Sequence, residues 1–275
     1  MKSPTRGRRS NIAAHVILGG GGITMVFPFV WMLLVSVQTK AESISTPPTF
    51  WTWQPRFTNF STVLNLIPLG HQLFVSVMIT VLRVAAQVAL CSLAGYALAR
   101  MRFRGRGAIL AATLAVLMVP GQAFLIPTYQ IVNSLGLLGT IWGLVLPGFF
   151  SAFGTFLMRQ FFITLPRDIV EAARLDGCST PRLFAQILLP LVAPGMQALA
   201  IITALWSWSE LMWPLVATTR SEDMPAAVGI ATLGTEHDPN YPQLMAAAIM
   251  VMAPILIVFI VFQKRVLAGI SLSGA

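Results

Sequence analysis

Six long apolar runs, near residues 12–37, 72–99, 108–131, 141–163, 184–217 and 243–263, limit what this chain can fold into. A helix crosses the hydrocarbon core of a bilayer with roughly 20 apolar residues. The runs have that length. The fifth is too long for one straight crossing, and Pro190 and Pro194 mark where it would bend, with part of it outside the hydrocarbon. Only 10% of the 275 residues are charged, against about 25% in a soluble domain. The chain cannot cover its own surface with charge, so lipid covers it. The predicted fold is all-α: a polytopic membrane protein with six transmembrane helices, forming a single domain over residues 1–275.

A net charge of +9 would suit a nucleic-acid binder, but the basic residues form no single patch. They fall in short clusters between the apolar runs, as orientation signals do. With the N-terminus inside, the inner segments hold Lys2, Arg6, Arg8 and Arg9; Arg100, Arg102, Arg104 and Arg106; Arg159, Arg167, Arg174 and Arg182; and Lys264 and Arg265. That is fourteen of the eighteen basic residues; Lys40, Arg56 and Arg220 fall outside and Arg83 within the second run. The asymmetry predicts both termini in the cytoplasm. A secretory signal would have a shorter apolar core and a small-residue cleavage site, so the first run reads as an uncleaved span.

The outer segment 38–71 holds Pro47, Pro48, Pro55 and Pro68 among Phe50, Trp51, Trp53, Phe57 and Phe60. Tryptophan favours the headgroup level, so this segment is expected to rest there. The outer segment 218–242 carries Glu222, Asp223, Glu236 and Asp238. Gly19 to Gly22 suit either close helix packing, the plainer reading, or a flexible segment, and Phe27-Pro28 suggests a local bend. Cys91 and Cys178 read as free thiols, and His15, His71 and His237 are too scattered to hold a metal.

One polar interruption stands out. Residues 165–190 hold Asp168, Glu171 and Asp176, three of the nine acidic residues. Pro166 suits the first turn of a helix, and Asp168 lies near its positive end. Ile169, Ala172, Ala173 and Asp176 fall on one small, mostly apolar face. Gly177 follows as a C-terminal cap. Ser179 or Thr180 would cap a second helix started by Pro181, running through Leu183–Pro190 rigidly into the fifth span. Two readings stand: a short helix that enters a groove on another protein, and an amphipathic helix lying on the bilayer.

Glu-Ala-Ala, three residues, Gly, nine residues, Ile, one residue, Leu-Pro is matched in full by Glu171, Ala172, Ala173, Gly177, Ile187, Leu189 and Pro190. This pattern resembles the signature of permease subunits of bacterial ATP-binding-cassette importers, and the similarity runs over nearly the whole chain. Phe27–Met32, Ala94–Arg100 with Phe103 and Gly105, and Gly136–Thr140 resemble the carbohydrate-uptake subgroup, in particular its maltose-type second permease. Phe156–Pro166 and Met245–Ala247 resemble the branch for glycerol-3-phosphate and glycerophosphodiesters such as glycerophosphocholine. The resemblance implies that the loop is a cytoplasmic coupling helix, with Asp168, Glu171, Ala172, Ala173, Asp176, Gly177, Ile187, Leu189 and Pro190 at the ATPase interface. It also implies a bacterial inner-membrane location and three kinds of partner: an ATPase pair, a second permease subunit and an extracytoplasmic substrate-binding protein.

No phosphate-binding loop of the form Gly, four residues, Gly-Lys-Ser/Thr occurs. The chain is therefore expected to be no enzyme and to hold no cofactor; ATP and Mg belong to the partner ATPase. Arg83 and Glu210 lie inside apolar runs, where charges are costly and face a cavity or a partner. Arg83 either draws an anionic phosphate or forms a structural ion pair. Trp206, Trp208 and Trp213 either line the path with Glu210 or anchor at the interface. The family often has Trp-Asn in the fifth span, where this chain has Trp208-Ser209-Glu210. A maltose- or trehalose-type sugar is the alternative cargo. A self-sufficient secondary transporter or channel would need discontinuous spans in related halves and leaves the polar loop unexplained. A membrane-embedded enzyme would need clustered His, Asp or Glu, which the sequence lacks.

Overall fold

The structure is a computed structural model that describes the backbone of residues 5–234 and 239–271. Lys2, Glu236, His237 and Asp238 lie outside the described residues, as do the side chains of Arg6, Arg8, Arg9, Lys264 and Arg265. Among the described residues every regular element is a helix. The chain divides into two compact units, residues 1–67 with 230–252 and residues 68–229 with 253–275.

In the first unit, α1 (Thr5–Ser36) carries Pro28 without ending there, and its stretch Leu18–Ser36 is long and apolar enough to cross a membrane. Leu18, Ile23 and Met25 are exposed, and among the described residues nothing lies within 4 Å of a Cβ built on Gly19 to Gly22. The four glycines therefore seat no other described part of this chain.

The segment after α1 is folded back on the end of that helix by side chains. Asn59 Nδ2 donates to the carbonyls of Ser36 (2.8 Å) and Gln38 (3.0 Å), and Gln38 Nε2 donates to Thr49 O (2.6 Å). Buried carbonyls past a helix end need such donors. Short α2 (Lys40–Ser43) opens on a capping box: the Thr39 hydroxyl accepts from Glu42 N, and the Thr39 N–H donates to the Glu42 carboxylate at 2.8 Å. The following α3 (Thr58–Leu66) bears Asn59. Trp53 is 89% exposed, with Trp51 and Phe57 also open, so the aromatics form a surface and not a core.

The Thr39 backbone N–H, then its hydroxyl and that of Thr52, hold the Glu42 carboxyl below its ordinary value. A depressed carboxylate stabilises above its unfolded pKa and loses that stabilisation as pH falls through the folded value. Hydrogen-exchange protection of the Thr39 amide is thus expected to be full at neutral pH and to fall below about pH 4.3. Glu42→Gln should remove that pH dependence; a Thr39 amide equally protected at acid pH would remove the carboxylate from the account.

The second unit is built around α4 (Leu69–Arg100), 32 residues long and apolar enough to cross a membrane unbroken. Three further apolar segments of this unit are bent. Helix α5 (Arg106–Met118) meets Gly121–Ser134, which includes α6 (Leu125–Ser134), at 103°. The sequence reads 108–131 as one run; Pro120, with no N–H to donate, stands at the fold in it. Helix α7 (Ile141–Val145) and the turn through Gly148 meet α8 (Ala152–Thr164) at 45°.

Helix α9 (Arg167–Leu175) follows α8 directly. Next, α10 (Thr180–Arg182), a π-helical turn (Leu183–Leu188) and α11 (Leu189–Leu191) form one irregular helix, Thr180–Leu191. It meets α12 (Ala193–Ser209) at 75°, with Pro190 and Pro194 on either side of the bend. The second helix of the polar loop is thus not rigidly continuous with the fifth span. Helices α13 (Met212–Ala217), α14 (Ala226–Leu233) and α15 (Tyr241–Ser271) complete the chain.

Helices α8 and α12 pack along α4. Their shared core holds Cys91, Tyr96, Met158, Phe162, Leu188 and Leu199, and Ala173 of α9 joins it. The crossing of α4 and α8 is set by Gly95: a Cβ there would lie 2.8 Å from both Met158 Cβ and Arg159 N. Such contact admits no larger residue.

Candidate functional site

Helix α9 opens directly after Pro166, with Asp168 in its first turn, where a carboxylate meets the positive helix end. It ends on a Schellman turn. Cys178 N–H donates to Ala173 O (2.9 Å) and Gly177 N–H to Arg174 O (3.0 Å). Gly177 has φ +74°, the left-handed region that glycine enters without strain. The short helix is thereby closed at its C-terminal end.

Burial decides which face is on offer. Ala173 is buried, with Val170 packed against the same core, and Ile169 is half-buried. Asp168, Glu171, Ala172 and Leu175, at i, i+3, i+4 and i+7, form the exposed stripe. The face read from sequence as Ile169, Ala172, Ala173 and Asp176 is therefore split: Ala173 belongs to the core, and Ala172 and Asp176 to the outside. Leu175 is 89% exposed at the tip. Its signal was available as a lone leucine between Arg174 and Asp176, in register with Asp168 and Glu171.

The second half of the motif lies beneath the first. Leu183 and Leu188 are fully buried in the core that receives Ala173, and Ile187 and Leu189 pack against it half-buried. Pro190 is exposed at the approach to the 75° bend. Ser179 stands at the start of the second helix, but no side-chain capping bond forms there. The nine residues expected at the interface thus divide into an exposed group (Asp168, Glu171, Ala172, Asp176, Gly177, Pro190) and a supporting group (Ala173, Ile187, Leu189).

The two intramembrane charges meet. Arg83 Nη1 donates to Glu210 Oε2, and Arg83 Nη2 donates to Leu144 O at 2.5 Å. One turn along, Gln87 Nε2 donates to Gly148 O (2.7 Å), and Gln87 Oε1 accepts from the Thr203 hydroxyl (2.9 Å). Leu144 and Gly148 both precede the break before α8, where carbonyls lack helical partners. Polar side chains of α4 satisfy them, as broken backbone within a membrane requires. Trp213 is buried, and its indole N–H donates to Gly143 O (3.2 Å). Trp206 packs on Phe153 at 5.4 Å, and Trp208 is half-buried. Among the described residues no group of His, Cys, Asp and Glu could hold a metal.

The family model described as the binding-protein-dependent transport system inner membrane component matches residues 88–271. The arabinooligosaccharides transport system permease protein AraQ of Halalkalibacterium halodurans is 33% identical over 225 residues, 82% of this chain and 74% of the relative. The sn-glycerol-3-phosphate transport system permease protein UgpE of Rhizobium meliloti is 30% identical over 95% of this chain and 96% of its own. Among solved structures, a bacterial ABC transporter involved in the import of the acidic polysaccharide alginate has a chain with the same fold. It matches with TM-score 0.80 and 22% identity, covering 96% of this chain and 99% of that one.

Proposed function

The chain belongs to the family of inner membrane components of binding-protein-dependent transport systems, and we propose that it forms half of the translocation path of an ATP-driven carbohydrate-type importer. An ATPase subunit docks on α9 and drives it. The observation that carries this reading is the exposed stripe of Asp168, Glu171, Ala172 and Leu175, held out by a Schellman turn above a shared core. Burying Leu175 in a partner's groove would contribute about 1.5–3 kcal/mol. The charge asymmetry of the loops supports a cytoplasmic α9 with both termini on that side. A second permease subunit completes the path, and an external binding protein delivers the solute to the outer segments 38–71 and 218–242.

The pairing of Arg83 with Glu210 supports a neutral oligosaccharide as cargo, because a neutralised arginine presents no net charge to a phosphate. Glycerol-3-phosphate or a glycerophosphodiester is the second reading, favoured by the relative similar over 95% of this chain. The test uses the complex assembled with its cognate ATPase. Glu171→Arg combined with Leu175→Asp is expected to lose the ATPase on purification while the permease stays folded; full retention would remove α9 as the dock. In the intact complex, an arabino-oligosaccharide with the binding protein should stimulate ATP hydrolysis and glycerol-3-phosphate should not. The reverse result selects the second reading.

A further inference from the structure

The joint between α8 and α9 is held by a side chain from a third helix. Helix α8 ends at Thr164, Leu165 is extended (φ −66°, ψ +139°), and Pro166 precedes α9. Pro166 has no N–H, so the last carbonyls of α8 need outside donors. Arg100, the final residue of α4, supplies them: Nε donates to Phe162 O at 2.9 Å, and Nη2 donates to Leu165 O. Its guanidinium thus straddles the elbow, with one bond to the last turn of α8 and one to the residue that links α8 to α9. The arrangement is reciprocal. Arg159 of α8 donates from Nε to Leu98 O in the last turn of α4 at 3.3 Å. Each helix lends a cation to the negative C-terminal end of the other, beside the contact at Gly95.

The other exit from α9 is built differently. It passes through the Gly177 turn, a π-helical turn and the 75° bend into α12. A displacement of α9 meets a clasped joint on one side and a jointed connection on the other. Resting on the reading of α9 as the docking element, we propose that Arg100 is the positioning residue that makes α4 and α8 move with α9 as one body. The planar fork of arginine suits two carbonyls at fixed separation; a lysine presents one point charge.

The test uses the ATPase-bound complex in proteoliposomes and reads solute transported per ATP hydrolysed. Arg100→Gln is expected to keep the ATPase bound and hydrolysing, because the outward stripe of α9 is untouched. The transport ratio should fall by about tenfold, the scale of one lost charge-assisted hydrogen bond, and Arg100→Lys should not restore it. An unchanged ratio in Arg100→Gln overturns the proposal. Loss of assembly in these variants does not end the test, because the native side chain can be probed directly. Spin labels at Met101 and Thr164 should hold one distance through the ATP cycle, and a distance that changes overturns the single body. An ATPase that binds regardless of Glu171 and Leu175 would instead remove the reading of α9 as the dock.

Discussion

Replacing Arg83 by alanine is expected to destabilise the folded permease by about 3–5 kcal/mol, the cost of removing one partner of a buried ion pair. Arg83 is 6% exposed, and it serves two acceptors, the Glu210 carboxylate and the Leu144 carbonyl. Alanine takes this donor from the Leu144 carbonyl and leaves the half-buried Glu210 carboxylate without its cation. The loss does not depend on cargo, so it should appear as a lowered unfolding midpoint in detergent with no solute present. Replacing both charges by methionine should recover most of the midpoint, since an apolar pair of similar volume is often neutral. A single variant as stable as the parent would show that the pair contributes nothing. One that is stable but blind to a phosphorylated solute would restore Arg83 as an anion contact.

Gly177→Val is expected to abolish uptake while leaving the inserted protein intact. Among the described residues nothing lies within 4 Å of a Cβ built at Gly177, so space is not the issue. The backbone is: φ is +74°, where a β-branched residue is strongly disfavoured. A left-handed conformation costs an L-residue roughly 1–2 kcal/mol, which shifts the closed turn about five- to thirtyfold in population. The turn that aims Leu175 would then be lost in most molecules. Asparagine tolerates this region better, so Gly177→Asn should keep a large part of the uptake. Equal uptake by the valine, asparagine and parent proteins would separate the turn from transport.

The helical class was legible because apolar runs of such length have one stable form in lipid. The family was legible because seven positions from Glu171 to Pro190 match at fixed spacing. Gly177 was readable as a helix stop for a local reason, since the left-handed turn needs only its own backbone. The outward face of α9 was not. Periodicity shows that Ile169, Ala172 and Ala173 lie close on the helix, but the core that takes Ala173 and leaves Ala172 outside is assembled from several other helices, Cys91 and Tyr96 of α4 among them. The Arg100 clasp was hidden for a related reason: its acceptors are carbonyls 62 and 65 residues away, and every residue has a carbonyl. Arg83 and Glu210 were visible as two costly charges. Their union required the break before α8, whose carbonyls Arg83 and Gln87 satisfy.

That union also has a consequence in time. Arg83 and Glu210 are 127 residues apart, so at about 5–20 residues per second the ribosome needs roughly 6–25 s to make the second after the first. Throughout that interval the nascent second span carries a cation whose counterion has not yet been synthesised. At the centre of a lone helix such a charge costs about 2.5–3.5 kcal/mol on insertion. The final seating of α4 therefore waits on translation of the fifth apolar run, and the order of synthesis becomes part of how this membrane domain is put together.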